Sequence, residues 1–339
     1  MLLAGDIGGT KTRLGIFSLA GAKVRPPELF AEETFENARY RDLETVVREF
    51  IGRVQTGKID RACFGVAGPV LGEGPVTITN LPWLIDRNKL AAALDIPAVA
   101  IINDLLATAY ALPFLPPRDL HTLNPGNPAP HGNMAVIAAG TGLGEAFLIW
   151  DGQEYQSYPS EGGHGDFAPQ NGLETGLLGH LRKRWEHVSY DRVCTGRGLP
   201  EIYRFLKKNG FPDDLPGLDE QLAAATDAAP LIVKAALAGE GHSPTCAGAL
   251  DILVSTLGAE AGNMGLRFMA TGGIYVAGGL PPRILPFLTK PAFMDSFRRK
   301  GRLSALVAEI PVRVILNPAA PLLGAAYYAG KTSPEEAIN

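Results

Sequence analysis

The stretch GDIGGTKTR, residues 5–13, sets one acid, Asp6, just ahead of Gly8 and Gly9, with Thr10 and Lys11 behind them. Glycines beside a lysine suit an anion, because backbone N–H groups are reachable where no side chain covers them. Two common phosphate sites do not fit. A P-loop carries glycine directly before its lysine, and Thr10 stands there instead. A dinucleotide-binding turn leads from a strand into a helix. Here Leu14 and Ile16 alternate with Arg13 and Gly15, so TRLGIFSL reads as a second strand. The element is strand, glycine turn, strand. An ordinary hairpin whose turn needs positive φ fits the same residues equally well.

Three further stretches bear on chemistry. MAVIAAGTGLGEAFLIW repeats the opening pattern: setting residues 2–17 against 135–150 puts Gly9 opposite Gly142, with an apolar strand on each side. Gly140, Thr141 and Gly142 thus form a second candidate anion turn, and the repeat suggests a duplicated architecture with a nucleotide between its halves. In IINDLLATAYA, Asn103 and Asp104 close an apolar strand and open a helix, where α/β proteins often present ligand-binding side chains. Both residues are also preferred helix caps, which is the plainer explanation for them taken alone. In SEGGHGDFAPQ, Glu161 and His164 flank two glycines. An acceptor and a mixed donor–acceptor in one tight turn suit a polyol, whose hydroxyls each donate and accept.

Other chemistries lack their residues. The remaining histidines (His121, His131, His180, His187, His242) show no ligand spacing, and Cys63, Cys194 and Cys246 form no CxxC pair. They read as small buried side chains in a reducing compartment. No G-x-S-x-G elbow is present, which disfavours an acyl-transfer hydrolase.

These residues need elements to hold them. YRDLETVVREFIGRV and DRNKLAAALDI read as helices, the second stopped by Pro97; RACFGVAGPV and AVAIIND read as strands. That alternation predicts an α/β domain. The Pro- and Gly-dense residues 112–133 read as the passage into a second domain. Beyond it lie a long helix, GALDILVSTLGAEAGNMGLRFMA, and a strand ending in Gly278 and Gly279, where a flat ligand can approach. The basic run SFRRKGR reads as a solvated face, and the tail from Lys331 as frayed. A length of 339 residues suits two domains. With 46% hydrophobic and 19% charged residues and a net charge of −4, the chain reads as globular, with no nucleic-acid surface. No run is long enough to span a membrane, and MLLAGD is no signal peptide, so a cytoplasmic location is expected.

The strings GDIGGTKTR, GVAGPV, TNLPW, IINDLLATAYA, GTGLGEA, EGGHGDFAP, AGGLPPRI and NPAAPLLGAA occur in collinear order across nearly the whole chain. In that order they resemble the bacterial glucokinase family, within the sugar kinase, actin and heat-shock ATPase superfamily. The related repressor and open-reading-frame kinase branch carries a clustered zinc-binding cysteine motif after its EGGH-like segment, and only Cys194 lies near here. The resemblance implies a two-domain actin-like ATPase fold, a duplicated ribonuclease H-like α/β architecture with the active site in the interdomain cleft. It implies a small domain of residues 1–108 plus 317–339 and a large domain of residues 109–316.

It also implies roles. Asp6, Gly8, Gly9, Thr10 and Lys11 would form the first phosphate loop for ATP, with Asp6 holding Mg2+ through water; Lys11 is uncharged in other members. Gly140, Thr141 and Gly142 would form the second loop, and Gly278 and Gly279 would border the adenosine. Asn103, Asp104, Glu161, His164 and Asp191 would bind glucose, with Asp104 accepting the proton of the 6-hydroxyl. An ordinary carboxyl is ionised at pH 7 and can take that proton. At Asp191 the family commonly has glutamate, so contact with the 1- and 2-hydroxyls is either direct or weakened. A homodimer is implied. The alternatives are a hexokinase accepting mannose, fructose or glucosamine, a catalytically silent sugar sensor, and polyphosphate as donor.

Overall fold

The computed structural model describes residues 1–18, 27–55, 57–68, 70, 72, 74–78, 81–212 and 215–331. Pro69 of GVAGPV, Thr79 and Asn80 of TNLPW, and the tail after Lys331 lie outside the described residues. Two compact units emerge: residues 1–117, 154–159 and 317–339 form the first, and residues 118–153 and 160–316 the second.

In the first unit the strands β1 (Leu2–Ile7), β2 (Lys11–Phe17), β3 (Leu29–Glu36), β4 (Arg61–Val66) and β5 (Ala98–Asn103) form one sheet in the order β3-β2-β1-β4-β5. β1 and β2 pair antiparallel, with Ile7 opposite Thr12, while β1, β4 and β5 run parallel. The parallel strands are nearly continuous apolar runs because helices cover the sheet. Helix α1 (Leu43–Val54) is capped by Asp42, whose carboxylate accepts from Thr45 N–H, and buries Val46, Val47 and Phe50. Helix α2 (Arg87–Leu94) ends before Pro97, with Asp95 in the left-handed region. Helix α3 (Asp104–Ala111) packs against the C-terminal helix Ala320–Lys331. The contact is backbone to backbone: a Cβ on Gly324 would lie 1.7 Å from the Ala107 carbonyl oxygen.

The second unit repeats the plan. Strands β6 (Leu120–Asn124), β7 (Met134–Ala139), β8 (Leu143–Trp150), β9 (Gly273–Ala277) and β10 (Val312–Ile315) lie in the order β8-β7-β9-β10-β6. β7 and β8 form the antiparallel hairpin, and β7, β9 and β10 run parallel. The alignment of the two glycine hairpins made on sequence therefore matches equivalent elements of two like sheets. Helix α4 (Pro244–Arg267), capped by Ser243, supplies much of the apolar core of this unit.

Three readings change. The unit boundary falls at residue 117 rather than 108, because α3 and the turns after it pack with the C-terminal helix, where the Phe114 ring lies tilted against Tyr327. Residues 154–159 also group with the first unit. The Pro-rich passage is no mere linker, since it holds β6, which pairs with β10. The run SFRRKGR is only partly solvated: Ser296 and Phe297 are buried, and Lys300 Nζ donates to Ala259 O and Asn263 Oδ1.

A substitution tests the helix contact in the first unit. Gly324→Ala should lower stability by about 1–3 kcal/mol or more through overpacking, read as a shift of the denaturant midpoint. An unchanged midpoint would mean that the two helices separate freely.

Candidate functional site

The chemistry-bearing residues of the first unit cluster at the C-terminal ends of its parallel strands, the usual place for ligands in such sheets. Asp6 lies at the end of β1, and Asp104 directly follows β5. Asp6 is opposite Arg13 across the hairpin and Gly65 on β4. Burial pushes its carboxyl up to about 7, the negative charge of Asp104 adds to the rise, and Arg13 opposes it. Burial likewise raises Asp104 to about 6, against the stabilising N–H of Leu105, 2.8 Å from Oδ1. This corrects the expectation of an ordinary value: near pH 7 Asp104 is still mostly ionised, but its affinity for a proton is larger.

Asn103 is the cap of α3. Its Oδ1 accepts from Leu105 and Leu106 N–H, and its Nδ2 donates to Gly68 O at 3.0 Å. The plainer reading thus accounts for the structural part of Asn103, and any sugar contact would use what its amide has left.

The turn after β1 is closed by Gly8 N–H donating to Lys11 O. Gly8 does not need the left-handed region, but a Cβ there would crowd Lys11 O at 3.3 Å, across the same turn. The N–H groups of Gly9 and Thr10 have no acceptor among the described residues, and Thr10 and Lys11 are exposed. Sequence reasoning missed the residue that sets this turn. Asn37 is buried; its Nδ2 donates to Gly8 O, its N–H to Thr10 O, and its Oδ1 accepts from Thr12 Oγ1. No local pattern marked Asn37, because its partners lie more than 20 residues away in the chain.

In the second unit the equivalent turn, Gly140 to Gly142, closes through Gly140 N–H and Gly142 O. Thr141 and Gly142 are exposed, and their N–H groups also lack an acceptor among the described residues. Two anchors hold this loop: Gly196 N–H donates to Gly140 O, and Asp191 Oδ1 accepts from Leu143 N–H at 2.8 Å. Gly278 follows β9 with φ of +96°, and a Cβ there would meet Ala139 O at 2.3 Å. Leu280 N–H bonds the same carbonyl, so the Gly278–Gly279 corner sits directly beside the loop.

Glu161 and His164 bracket a single tight helical turn, Gly162–His164, with both side chains exposed. The two glycines answer to close packing on β8. A Cβ on Gly163 would lie 2.2 Å from Leu143 O, and one on Gly162 would run into the Glu145 carboxylate. Tyr190 N–H donates to Gly165 O, so the segment bearing Asp191 is fastened both to this turn and to the glycine loop.

Metal chemistry has a narrow base. Among the described residues no three His, Cys, Asp or Glu side chains could jointly hold an ion, and the three cysteines are free and buried. A zinc-binding cysteine cluster is therefore lacking among the described residues. Mg2+ does not need a protein cage, since one or two carboxylates and substrate phosphates complete its shell. Asp6 fits that requirement, because a cation would offset the burial and the Asp104 charge that resist its ionisation. No described helix is long and apolar enough to cross a membrane.

Known proteins resemble this chain along nearly its whole length. The family model described as Glucokinase matches residues 3–332. A glucokinase of Nostoc punctiforme is 38% identical, with 98% of this chain and 99% of that one aligned. Among solved structures, a glucokinase from an Antarctic psychrotroph superposes with a TM-score of 0.85 at 31% identity, covering 98% of this chain and 99% of the other. A Balamuthia mandrillaris glucokinase solved with glucose shares the fold, with a TM-score of 0.76 at 22% identity and coverage of 98% and 93%.

The capping role of Asn103 can be separated from ligand contact. Asn103→Ala should cost about 0.5–2 kcal/mol of stability, and Asn103→Ser should recover most of it by restoring an oxygen cap. Chemical denaturation of both variants reads this directly; equal loss in the two would remove the cap from the account.

Proposed function

The chain belongs to the glucokinase family, and on that premise we infer that it transfers the γ-phosphoryl group of ATP to the 6-hydroxyl of D-glucose, giving glucose 6-phosphate and ADP. The observation that carries this reading is Asp104, a half-buried carboxylate with a raised proton affinity at the strand ends beside Asp6. Phosphoryl transfer asks mainly for alignment and neutralised charge. A general base works best when its pKa approaches the working pH, and about 6 is nearer to that than an ordinary aspartate.

In this reading the 6-hydroxyl gives its proton to Asp104 as its oxygen attacks the γ-phosphorus and the bond to the β-bridging oxygen breaks. The free N–H groups of Gly9 and Thr10, and of Thr141 and Gly142, receive phosphate oxygens, with Gly8 and Gly140 leaving the approach open. Gly278 and Gly279 border the adenosine. Asp6 would hold Mg2+, whose charge would offset that of the phosphates. Asn103, Glu161 and His164 hold sugar hydroxyls. Asp191 keeps Oδ1 on Leu143 N–H and offers Oδ2 to the 1- and 2-hydroxyls, which supports direct contact despite its shorter side chain. Lys11, exposed and without an ion pair among the described residues, supplies only long-range attraction to the nucleotide. A homodimer in the cytoplasm completes the proposal, and both rest on membership of the glucokinase family.

A coupled assay crossing ATP, ADP and polyphosphate with glucose, mannose, fructose, glucosamine and 2-deoxyglucose tests the reading. Glucose with ATP should give the highest kcat/KM. Near-equal use of all the sugars would favour a broad hexokinase, and no turnover with any pair would favour a silent sensor.

Asp104→Asn should retain the fold and lose about 10²–10⁴-fold in kcat. In the wild type, only the ionised carboxylate accepts the proton, so kcat/KM should fall as pH drops through about 6. A flat profile between pH 5 and pH 7 (roughly one unit either side of that value) would remove Asp104 as the base.

A further inference from the structure

Beneath the Gly162 turn lies a group that the proposed reaction does not use. Glu145, on β8, is 1% exposed, and neither of its carboxylate oxygens has a hydrogen-bond partner. Its Oε2 abuts Gly162 so closely that any side chain at 162 would collide with it. The polar group facing it is Glu260 of α4, which is fully buried. Glu260 is already supplied with donors: Arg267 Nη1 binds Oε1, and Asn263 Nδ2 donates to Oε2 at 2.9 Å.

Two ionised carboxylates are acceptors only, and side by side in a core they repel. One Arg–carboxylate pair is complete without Glu145. Lys300 does not offset a second charge directly, since its Nζ donates to Ala259 O and Asn263 Oδ1. The other groups near the pair, the Tyr190 hydroxyl and the Cys194 thiol, are themselves neutral, and their acidity is suppressed by burial and by these carboxylates. A proton on Glu145 resolves the arrangement. It turns an unpartnered acceptor into a donor toward Glu260 and removes the net charge under Gly162.

We propose that Glu145 is a positioning residue for the sugar-binding turn, held as a neutral carboxylic acid that donates to Glu260 and supports Gly162 from below, so that Glu161 and His164 keep their places. The proposal rests on the assignment of that turn to glucose. Burial, and next the charge of Glu260, push the Glu145 carboxyl up to about 8, with Arg267 opposing. Lys300 is lowered by burial to about 8, so the buried network changes charge at the alkaline edge of the working range. Ionised Glu145 would repel Glu260 and press a charge against a backbone with no donor to offer, loosening the turn and weakening sugar binding. Proton transfer at Asp104 lies outside this network.

The test uses the whole chain and the isosteric Glu145→Gln variant, which stays neutral and can still donate to Glu260. Wild-type KM for glucose should rise up to about tenfold between pH 7 and pH 9, following loss of the proton near 8. KM of Glu145→Gln should stay nearly level, while kcat follows the same pH course in both proteins. The stability arm needs no activity. The unfolded chain loses this proton near 4.5 and the folded chain near 8, so rising pH costs wild-type stability across that window. The Tm advantage of Glu145→Gln over wild type should therefore grow from pH 5 to pH 8. Parallel KM profiles in two active proteins would overturn the positioning role, and parallel Tm profiles would overturn the buried proton. Absence of glucose turnover at every pH, with diverging Tm profiles, would instead count against the glucose assignment while leaving the buried acid in place.

Discussion

A backbone can hold a phosphate only where its N–H groups are left without partners and without cover, and both glycine hairpins meet that constraint among the described residues. Unpaired N–H groups are costly inside a fold, so each turn must be held open from the side by groups that do not consume them. The first turn is held by the Asn37 amide on Gly8 O, and the second by Gly196 N–H on Gly140 O together with Asp191 on Leu143 N–H. The two sheets have like topology, yet their anchors differ in chemistry. An amide brings no charge, whereas Asp191 brings a carboxylate close to where phosphate would sit. That charge is tolerable where a backbone N–H faces it, and it ties the loop to the segment that also bonds Gly165 beside the EGGH turn.

The same burial that excludes water shifts three carboxyls to different ends. Asp6, Asp104 and Glu145 all rise because desolvation penalises their charge. What separates them is the company each keeps. Asp104 has the Leu105 N–H and remains largely ionised near neutrality, as the proposed base would have to. Asp6 has Asp104 as neighbour, and its proton is the one a divalent cation would displace. Glu145 has no donor and faces another carboxylate, so it keeps its proton highest of the three.

Much of this was legible in the sequence because it is local. Apolar alternation around a glycine turn marked both hairpins, and the Asn–Asp step after an apolar run marked the strand end and the helix cap together. The two glycines of EGGH were legible as a turn, but their cause was not. They answer to Leu143 O and the Glu145 carboxylate on a strand about 20 residues away, and only the folded packing shows it. Asn37 was invisible for the same reason, and so was the facing of Glu260 on Glu145, because those partners lie far apart in the chain. The raised carboxyls were also beyond reach, because acidity depends on burial that residue types do not state. The unit boundary falls inside the Pro-rich passage, but the strand within that passage was missed. Prolines there bracket a strand whose hydrogen bonds are made to β10, nearly 200 residues away.

Asp191 shows how these levels combine. Read as a sequence, it stands where glutamate is common and is one methylene shorter, so its sugar contact is either direct or weakened. In the fold its Oδ1 is spent on Leu143 N–H, and its own carbonyl accepts from Thr195 Oγ1, so the side chain is fixed at both ends of its residue. A Cβ on Gly142 would come within 3.1 Å of the same oxygen, so Asp191 depends on that glycine for room. A longer acid would have to withdraw from Leu143 or push its headgroup further out. The short side chain is thus matched to holding the loop, and whatever it gives a sugar comes from its second oxygen. Loop geometry and hydroxyl recognition would then be set by one carboxylate and could not be tuned independently.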